Sequence, residues 1–179
     1  MDQLLAGAEA MDQHFLHAPI EANAPVQMAL AGVANRSVLD YPSLTITPYD
    51  SRLGYLVPWA QQLEMESLGK SATLDGTPPG VPTSPVVWGM TGTDSQHTFF
   101  QWMHQDAQGA PADFIFCRQP DHGYERHHRI LLANCLAQRA ALLTGKSYGE
   151  ALRETQRTES DPAQAAVLAR HRVHPGGRP

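Results

Sequence analysis

The feature that most constrains this chain is the alternation of short strand-like runs with segments of helical spacing. Residues 43–47, 85–89 and 112–117 carry β-branched or aromatic side chains, and a helical pattern follows each run. Strands that alternate with helices form parallel sheets, because the chain must return to the same end of the sheet before each new strand. The sequence therefore predicts an α/β fold in which helices flank a parallel sheet.

Several helix boundaries can be predicted from capping chemistry. A hydroxyl and an amide or carboxylate three residues apart can satisfy each other's backbone donors at a helix start, and an Asp before a Pro is equally typical of one. Such pairs are Thr93 with Gln96, Ser147 with Glu150, and Asp161 with Pro162. Apolar residues also recur at helical spacing over residues 127–143, and Gly145 follows as the expected stop.

The first 36 residues have the pattern of two helices with a break near residues 19–25. The second helix, over residues 24–34, is apolar on nearly all sides, which predicts that it is buried. Residues 71–85 are rich in Gly, Pro, Ser and Thr, and we interpret them as a surface loop. This loop would connect the first two predicted strands.

Composition limits the classes of function that this chain can have. Its 179 residues are 42% hydrophobic, which is enough for one core, and its net charge is −5. No cluster of Lys and Arg could follow nucleic acid or an anionic membrane, and no apolar stretch approaches the roughly 20 residues that span a bilayer. We therefore predict a soluble, cytoplasmic protein that binds neither nucleic acid nor membrane. Cys117 and Cys135 lie in apolar runs and are predicted to be reduced, buried thiols.

His97 is the first candidate for chemistry. In open parallel sheets, ligands bind beyond the carboxyl ends of the strands, where loops lead into helix N-termini. Residues 88–97 fit that place, because a predicted strand leads through a glycine turn into a capped helix with His97 about one turn inside. The imidazole could face a ligand there, or it could be an ordinary polar residue of the helix.

Gln62 and Glu66 are the second candidates, in a segment that we also place at such a position. They lie at the end of a helical pattern that begins near Asp50 and breaks near Gly54. A spacing of four residues places both on one helix face, so that an amide and a carboxylate could approach the same small polar substrate. The carboxylate could then act as a base in proton transfer. A solvated pair of Glu64 and Glu66 at a helix end explains the same pattern.

Residues 121–128 contain three histidines beside Asp and Glu, a composition that suggests zinc. The segment lacks the paired cysteines or the His-Glu-x-x-His arrangement of common zinc sites. The sequence therefore favours a polar loop that enters a helix.

Taken together, seven segments resemble the phosphoglucose isomerase family. They are Met11-Asp-Gln-His-Phe15, Glu21-Ala-Asn-Ala-Pro25, Pro48-Tyr-Asp50, Gln61-Gln-Leu-Glu-Met-Glu-Ser-Leu-Gly-Lys70, Val87-Trp-Gly89, Gly92-Thr-Asp-Ser-Gln-His97 and Leu132-Ala-Asn-Cys-Leu-Ala-Gln138. The resemblance implies that residues 1–179 are part of the second sugar isomerase (SIS) subdomain of a larger homodimeric enzyme, truncated at both ends. It also implies interconversion of glucose 6-phosphate and fructose 6-phosphate, a step of glycolysis and gluconeogenesis, without a metal or organic cofactor.

The same resemblance assigns roles to the candidate residues. Glu66, in its Met-Glu-Ser motif, matches the family's base, which moves a proton between C1 and C2 of the sugar through a cis-enediol. His97 matches the histidine that opens the sugar ring and that reaches the active site of the neighbouring subunit. Gln62 matches a glutamine that contacts the substrate.

The chain departs from the family pattern in two places. Asp94 and Ser95 interrupt the usual Gly-Thr-Asn-Gly-Gln-His motif, and Asp106 replaces the glycine of a frequent His-Gln-Gly motif. Either change could weaken the binding of a sugar phosphate, or it could be tolerated at a helix N-terminus, which favours a carboxylate.

The phosphate-binding loop and the Gly-Gly-Arg segment that the family has upstream of these motifs, and the catalytic lysine motif that it has downstream, have no counterpart in this sequence. We therefore expect the isolated 179 residues to be inactive. Two alternatives to an isomerase fragment stay open: a non-catalytic SIS module that binds sugar phosphates, and a truncated gene product that barely folds. The presence of both Glu66 and His97 favours descent from an enzyme, because a pure binding module needs no proton-transfer pair.

Overall fold

A three-stranded parallel sheet organises the fold. In the computed structural model, which describes residues 1–177, β1 (Ser43–Pro48) lies between β2 (Val86–Trp88) and β3 (Ala112–Ile115). Thr45 in β1 is paired with Trp88 in β2, and both neighbours of β1 run parallel to it. Each strand falls on a run that the sequence predicted. The predicted α/β fold with a parallel sheet is therefore confirmed.

The chain divides into two units, which we describe separately. The N-terminal unit comprises Met1–Tyr41 and Ser71–Thr83. The sheet unit comprises Pro42–Lys70 and the described residues from Ser84 onward. Residues 71–85 contain no helix or strand and are mostly exposed.

The predicted pair of N-terminal helices is confirmed. Its elements are α1 (Asp2–His17), a 3-10 turn (Ile20–Ala22), α2 (Ala24–Val33) and a π-helical turn (Ala34–Val38). Asn23 caps α2, because its side-chain oxygen accepts a hydrogen bond from the N–H of Val26 at 3.3 Å. The amide of Asn23 also donates to the carbonyl of Phe15 at 2.8 Å, which ties the end of α1 to the start of α2.

The prediction that the second helix is buried is wrong. No residue of α2 is buried, and the side chains of Met28, Leu30 and Val33 are 66%, 54% and 57% exposed. A helix that is apolar on nearly all sides needs neighbours on all sides, and among the helices of its own unit α2 contacts only α1 and the two short turns that flank it to any extent. We call these three side chains the apolar surface of α2.

Helices accompany all three strands of the sheet unit. Along residues 42–177 they are α3 (Leu56–Ala60), which continues as a π-helical turn (Gln61–Glu66), then α4 (Gly92–Gln96), α5 (Phe100–Gln105), α6 (Glu125–Thr144), α7 (Tyr148–Thr155) and α8 (Pro162–Arg170). A 3-10 turn at Ser51–Leu53 precedes α3, and the break predicted near Gly54 separates the two. No helix among residues 1–177 is long and apolar enough to cross a membrane.

Two of the three predicted helix caps are confirmed. Ser147 and Glu150 form both bonds of a capping box at the start of α7. Asp161 accepts a hydrogen bond from a backbone N–H in the first turn of α8. The long predicted helix is α6, and it ends at Gly145, whose φ of 68° favours glycine.

Two hydrophobic clusters form the core of the sheet unit, on opposite faces of the sheet. One consists of Ile46, Val57, Ala60 and Val87, with Leu44, Leu56 and Met65 packed against it. The other consists of Phe100, Met103 and Leu142, with Trp88, Phe99, Ala112 and Phe114 packed against it. Because successive strand residues point to opposite faces, Val87 and Trp88 belong to different clusters. The sheet therefore lies between α3 on one side and α5 and α6 on the other.

We expect the purified chain to self-associate through the apolar surface of α2, because association removes exposed apolar side chains from water. Replacing Met28 and Leu30 by Gln should raise the concentration at which association occurs by about tenfold or more. Sedimentation velocity over a range of protein concentrations measures this shift.

A matched control exchanges the polar residues Gln3 and Gln164 for Ser, which leaves the apolar surface of α2 intact. The control should associate like the unmodified chain. A chain that stays monomeric throughout the concentration range would contradict the prediction.

Candidate active site

His97 lies just beyond the carboxyl end of β2, as the sequence predicted. The backbone turns at Gly89, whose φ is 140°, and a Cβ there would lie 2.0 Å from the carbonyl oxygen of Ile46 in β1. Only glycine allows this close approach of the two strand ends. His97 then ends α4, its N–H donates to the carbonyl of Asp94 at 3.1 Å, and its side chain is exposed. Its imidazole makes no hydrogen bond within residues 1–177.

The start of α4 differs from the prediction. The capping box expected for Thr93 and Gln96 does not form, because α4 begins at Gly92 and its cap residue is Thr91, two residues before Thr93. The hydroxyl of Thr91 donates to the carboxylate of Asp94 at 2.5 Å, which holds that acidic side chain at the first turn of the helix. A carboxylate is favourable there because it faces the positive end of the helix dipole.

Ser95 is turned into the protein. Its side chain is fully buried, and its hydroxyl donates to the carbonyl of Gly92 at 2.6 Å. The side chain that departs from the family motif therefore has its own hydrogen bond and does not project into solvent.

Glu66 and Gln62 lie on the π-helical turn that follows α3. The turn is fixed to β2 by two contacts: the Gln61 side chain donates to the carbonyl of Val87 at 2.9 Å, and the N–H of Val87 is 3.4 Å from the sulfur of Met65. Gln62 and Glu66 are both exposed. π-Helical turns are rare and occur frequently at functional sites. Gln61 and Met65 hold the turn against β2, and the side chains of Gln62 and Glu66 are accessible to a ligand.

Gln62 and Glu66 share one turn before β2, whereas His97 lies on the segment that leaves β2. The chain leaves β1 at its carboxyl end and must return to the amino end of β2, which is parallel to it. The segment from Leu56 to Glu66 begins that return, and its π-helical turn lies beside the middle of β2, where Gln61 and Met65 contact Val87. The expectation that both candidate segments lie beyond the carboxyl ends of strands stays a prediction for Glu66 and Gln62.

Two further carboxyl groups, those of Glu64 and Asp113, were missed as candidates; the sequence suggested Glu64 only as one of a solvated pair with Glu66. Burial raises the pKa of Glu64, and the negative charge of Asp113 raises it further. Burial likewise raises the pKa of Asp113, which lies in β3 opposite Ile46. An acidic residue inside a predicted strand was the signal that could have revealed this pair, because strands rarely bury a carboxylate.

A charged cluster links the loops that follow β1 and β3. The guanidinium of Arg52 contacts the carboxylates of both Asp50 and Asp121, and its Nε lies 2.9 Å from the nearer oxygen of Asp50. This hydrogen bonding holds the pKa of Asp50 well below its usual range. Cys117 is partly exposed, so the prediction that it is buried is wrong. Its sulfur lies 3.5 Å from the guanidinium, and the neighbouring Asp50 raises its pKa.

Residues 121–124 form an exposed loop that leads into α6, and residues 125–128 are the first turn of that helix. Asp121, His122 and His128 line a cleft of about 260 Å³ together with residues 49–52. Among residues 1–177, no three His, Cys, Asp or Glu side chains are grouped so that they could hold a metal ion. Cys135 is buried in α6, as predicted, and burial raises its pKa to about 11.

Comparison with known proteins adds independent findings. A family model described as "Phosphoglucose isomerase" matches residues 1–179. A glucose-6-phosphate isomerase of Bordetella pertussis is 74% identical over 179 residues, which are 100% of this chain and 34% of that protein. A glucose-6-phosphate isomerase of Agrobacterium fabrum is 46% identical over 178 residues, which are 99% of this chain and 33% of that protein. The chain thus spans about a third of the length of these curated relatives.

Solved structures agree with this similarity. The crystal structure of a glucose-6-phosphate isomerase from Chlamydia trachomatis is similar with a TM-score of 0.71 at 37% identity, over 79% of this chain and 28% of that chain. A hypothetical protein from Thermus thermophilus is similar with a TM-score of 0.56 at 22% identity, over 95% of this chain and 42% of that chain. The second similarity concerns the fold alone.

The free energy of unfolding of the unmodified chain should fall as the pH rises above about 4. Replacing Asp113 by Asn should make this fall less steep. Raised pKa values mean that folded Glu64 and Asp113 hold protons that the unfolded chain releases. The free energy of unfolding therefore falls as the pH rises from the ordinary carboxyl range towards the raised values. Urea unfolding followed by tryptophan fluorescence between pH 4 and pH 8 measures the slope.

The control for this experiment is Glu125→Gln, which removes an exposed carboxylate from the first turn of α6. It should leave the slope close to that of the unmodified chain. An Asp113→Asn variant with the same slope as the unmodified chain would show that this carboxyl group does not couple folding to pH.

Proposed function

Because this chain belongs to the phosphoglucose isomerase family, we propose that a protein containing it interconverts glucose 6-phosphate and fructose 6-phosphate. The observation that carries this proposal is the match of all 179 residues to the family model, with Bordetella relatives at 74% identity. The sugar phosphate is then the substrate, and the reaction is a step of glycolysis and gluconeogenesis in the cytoplasm. The chain corresponds to part of the second SIS subdomain of such an enzyme.

The reaction is an internal oxidation and reduction. Removal of the proton on C2 of the open-chain aldose and return of a proton to C1 convert the C1 aldehyde to an alcohol and the C2 alcohol to a ketone. The cis-enediol between them carries both oxygens as hydroxyls, so the electrons stay within the sugar. One base that faces C1 and C2 from the same side is sufficient.

We assign that base to Glu66. Its carboxylate is exposed on a turn whose backbone is fixed to β2 by Gln61 and Met65, which supports a reproducible position for proton transfer. Gln62 is exposed on the same turn and carries both a donor and two acceptor sites, which suits the binding of sugar hydroxyls beside the base.

We assign ring opening to His97. Opening a cyclic sugar requires removal of the proton from the C1 hydroxyl and donation of a proton to the ring oxygen, and a single imidazole can do both in turn. His97 follows the carboxyl end of β2, whereas Glu66 lies on the crossover that precedes β2. This placement on different connections of the sheet supports a homodimer in which the two residues of one chain serve different active sites.

In the full-length protein, Glu66→Gln should lower kcat by about 10²- to 10⁴-fold, because the amide cannot accept the C2 proton. KM should change by no more than a few-fold, since the amide keeps the size and polarity of the side chain. Steady-state kinetics with glucose 6-phosphate measure both constants.

The matched control is Glu64→Gln, which makes the same chemical change two residues away on the same turn. It should keep kcat within about threefold of the unmodified enzyme. Near-normal turnover of the Glu66→Gln enzyme would remove this residue from the mechanism.

His97→Asn should impair the use of cyclic glucose 6-phosphate by about 10²-fold or more, and the use of an analogue that cannot cyclise by only a few-fold. Ring opening and the C1–C2 proton transfer are separate acid–base events, and only the first needs the imidazole. His127→Asn, at an exposed position of α6, is the control. Equal losses on the two substrates would mean that His97 only shapes the pocket.

A further inference from the structure

A hydrogen bond joins the end of β1 to the last turn of α4. The side-chain amide of Gln96 donates to the phenol oxygen of Tyr49 at 2.8 Å. Tyr49 belongs to the Pro-Tyr-Asp segment, and no step of the proposed reaction uses its side chain. Gln96 immediately precedes His97 along the chain. The bond therefore acts on the backbone one residue away from the proposed ring-opening group.

The helix that carries His97 needs such a support. α4 has five residues, and so short a helix is not stable by itself. The imidazole of His97 has no hydrogen-bond partner within residues 1–177 that could fix it from its other side. The position of the side chain thus depends on how α4 is held against the sheet.

Tyr49 is a rigid support for α4. The ring is only 2% exposed and lies against the ring of Phe114, with centroids 6.2 Å apart and planes inclined by 28°. The N–H of Tyr49 donates to the carbonyl of Ile115 at 2.7 Å, which continues the pairing of β1 with β3. Tyr49 is therefore fixed in two ways. Backbone pairing holds its main chain, and packing against Phe114 holds its ring, so the phenol oxygen has a defined position.

Contact between the Tyr49 ring and Gly92 supplies a second fixed point. A Cβ at Gly92 would lie 2.3 Å from ring carbon Cδ2, so the first turn of α4 touches the ring directly. Gln96 lies about one turn later and bonds the phenol oxygen of the same ring. Two points one turn apart define both the distance and the direction of α4 relative to β1.

We propose that Tyr49 is a positioning residue for His97: its ring and its hydroxyl fix α4 through Gly92 and Gln96, and thereby place the imidazole for ring opening. This inference rests on the proposed isomerase function. The Tyr49 residue is only 2% exposed, so it acts through α4. Burial raises the pKa of the phenol, so the Tyr49 hydroxyl stays protonated and the hydrogen bond persists across neutral pH.

The test uses the full-length enzyme and removes the hydrogen bond from each side. Tyr49→Phe deletes only the hydroxyl, and Gln96→Leu deletes the donor. Each variant should lower kcat for cyclic glucose 6-phosphate on the order of tenfold, while turnover of the analogue that cannot cyclise stays within about threefold. A purely structural role would lower both rates together, so equal losses would overturn the proposal.

Gln96→Glu provides the rescue. Its carboxylate can accept a hydrogen bond from the phenol hydroxyl, so it restores the link with the direction of donation reversed. We expect this variant to recover most of the activity that Gln96→Leu loses. A Gln96→Glu enzyme as impaired as Gln96→Leu would overturn the hydrogen bond as the cause, and the Gln96 variants keep the test decisive if Tyr49→Phe does not fold.

The outcomes separate this inference from the proposed function. An unmodified full-length protein without isomerase activity would refute the function, and with it the positioning role. An active enzyme whose Tyr49→Phe variant uses cyclic and acyclic substrates as well as the unmodified form would refute the positioning role alone.

Discussion

The close approach of β2 to β1 is the constraint on which the candidate site depends. At Gly89 the backbone passes so near the carbonyl of Ile46 that no side chain fits, and at Gly92 it rests on the ring of Tyr49. Two glycines three residues apart thus let the loop after β2 lie flat on the end of β1. A side chain at either position would lift α4 off the sheet and move His97 with it.

The same parallel sheet places the candidate groups on different connections. A crossover between parallel strands starts at one end of the sheet and finishes at the other. In this chain Glu66 lies on the crossover from β1, whereas His97 lies on the loop that leaves β2. The proposed homodimer, in which each chain supplies one of the two groups to a shared site, rests on this arrangement.

Local features of this fold could be predicted from the sequence, and features that depend on distant contacts could not. The three strands, α6 with its stop at Gly145, and the capping box at Ser147 follow from short-range chemistry. The exposure of α2 depends on which neighbours surround it. The raised pKa of Glu64 likewise depends on burial and on the charge of Asp113, which lies far away in the sequence. A pattern of nearby residues carries no information about either feature.

The candidate residues divide in the same way. The sequence identified Gln62, Glu66 and His97 because they stand in motifs that resemble a known family, but spacing could not show which end of the sheet each would occupy. The supporting residues were missed as functional candidates: Tyr49 and Gln96 stand in family-like segments, but the only role expected for Gln96 was in a capping box that does not form. Its contact with Tyr49 spans β1 and α4, and only the folded chain brings the two side chains to 2.8 Å.

The two departures from the family motif, Asp94 and Ser95, are compatible with the support that Tyr49 gives to α4. Ser95 is buried and bonds the carbonyl of Gly92, so it reinforces the first turn of α4. Asp94 is held by Thr91 at the end of the helix where a negative charge is stabilised. Both side chains thus act within α4 and leave the amide of Gln96 free to bond Tyr49. A change of motif that keeps Gly92 and Gln96 therefore preserves the contacts that fix His97.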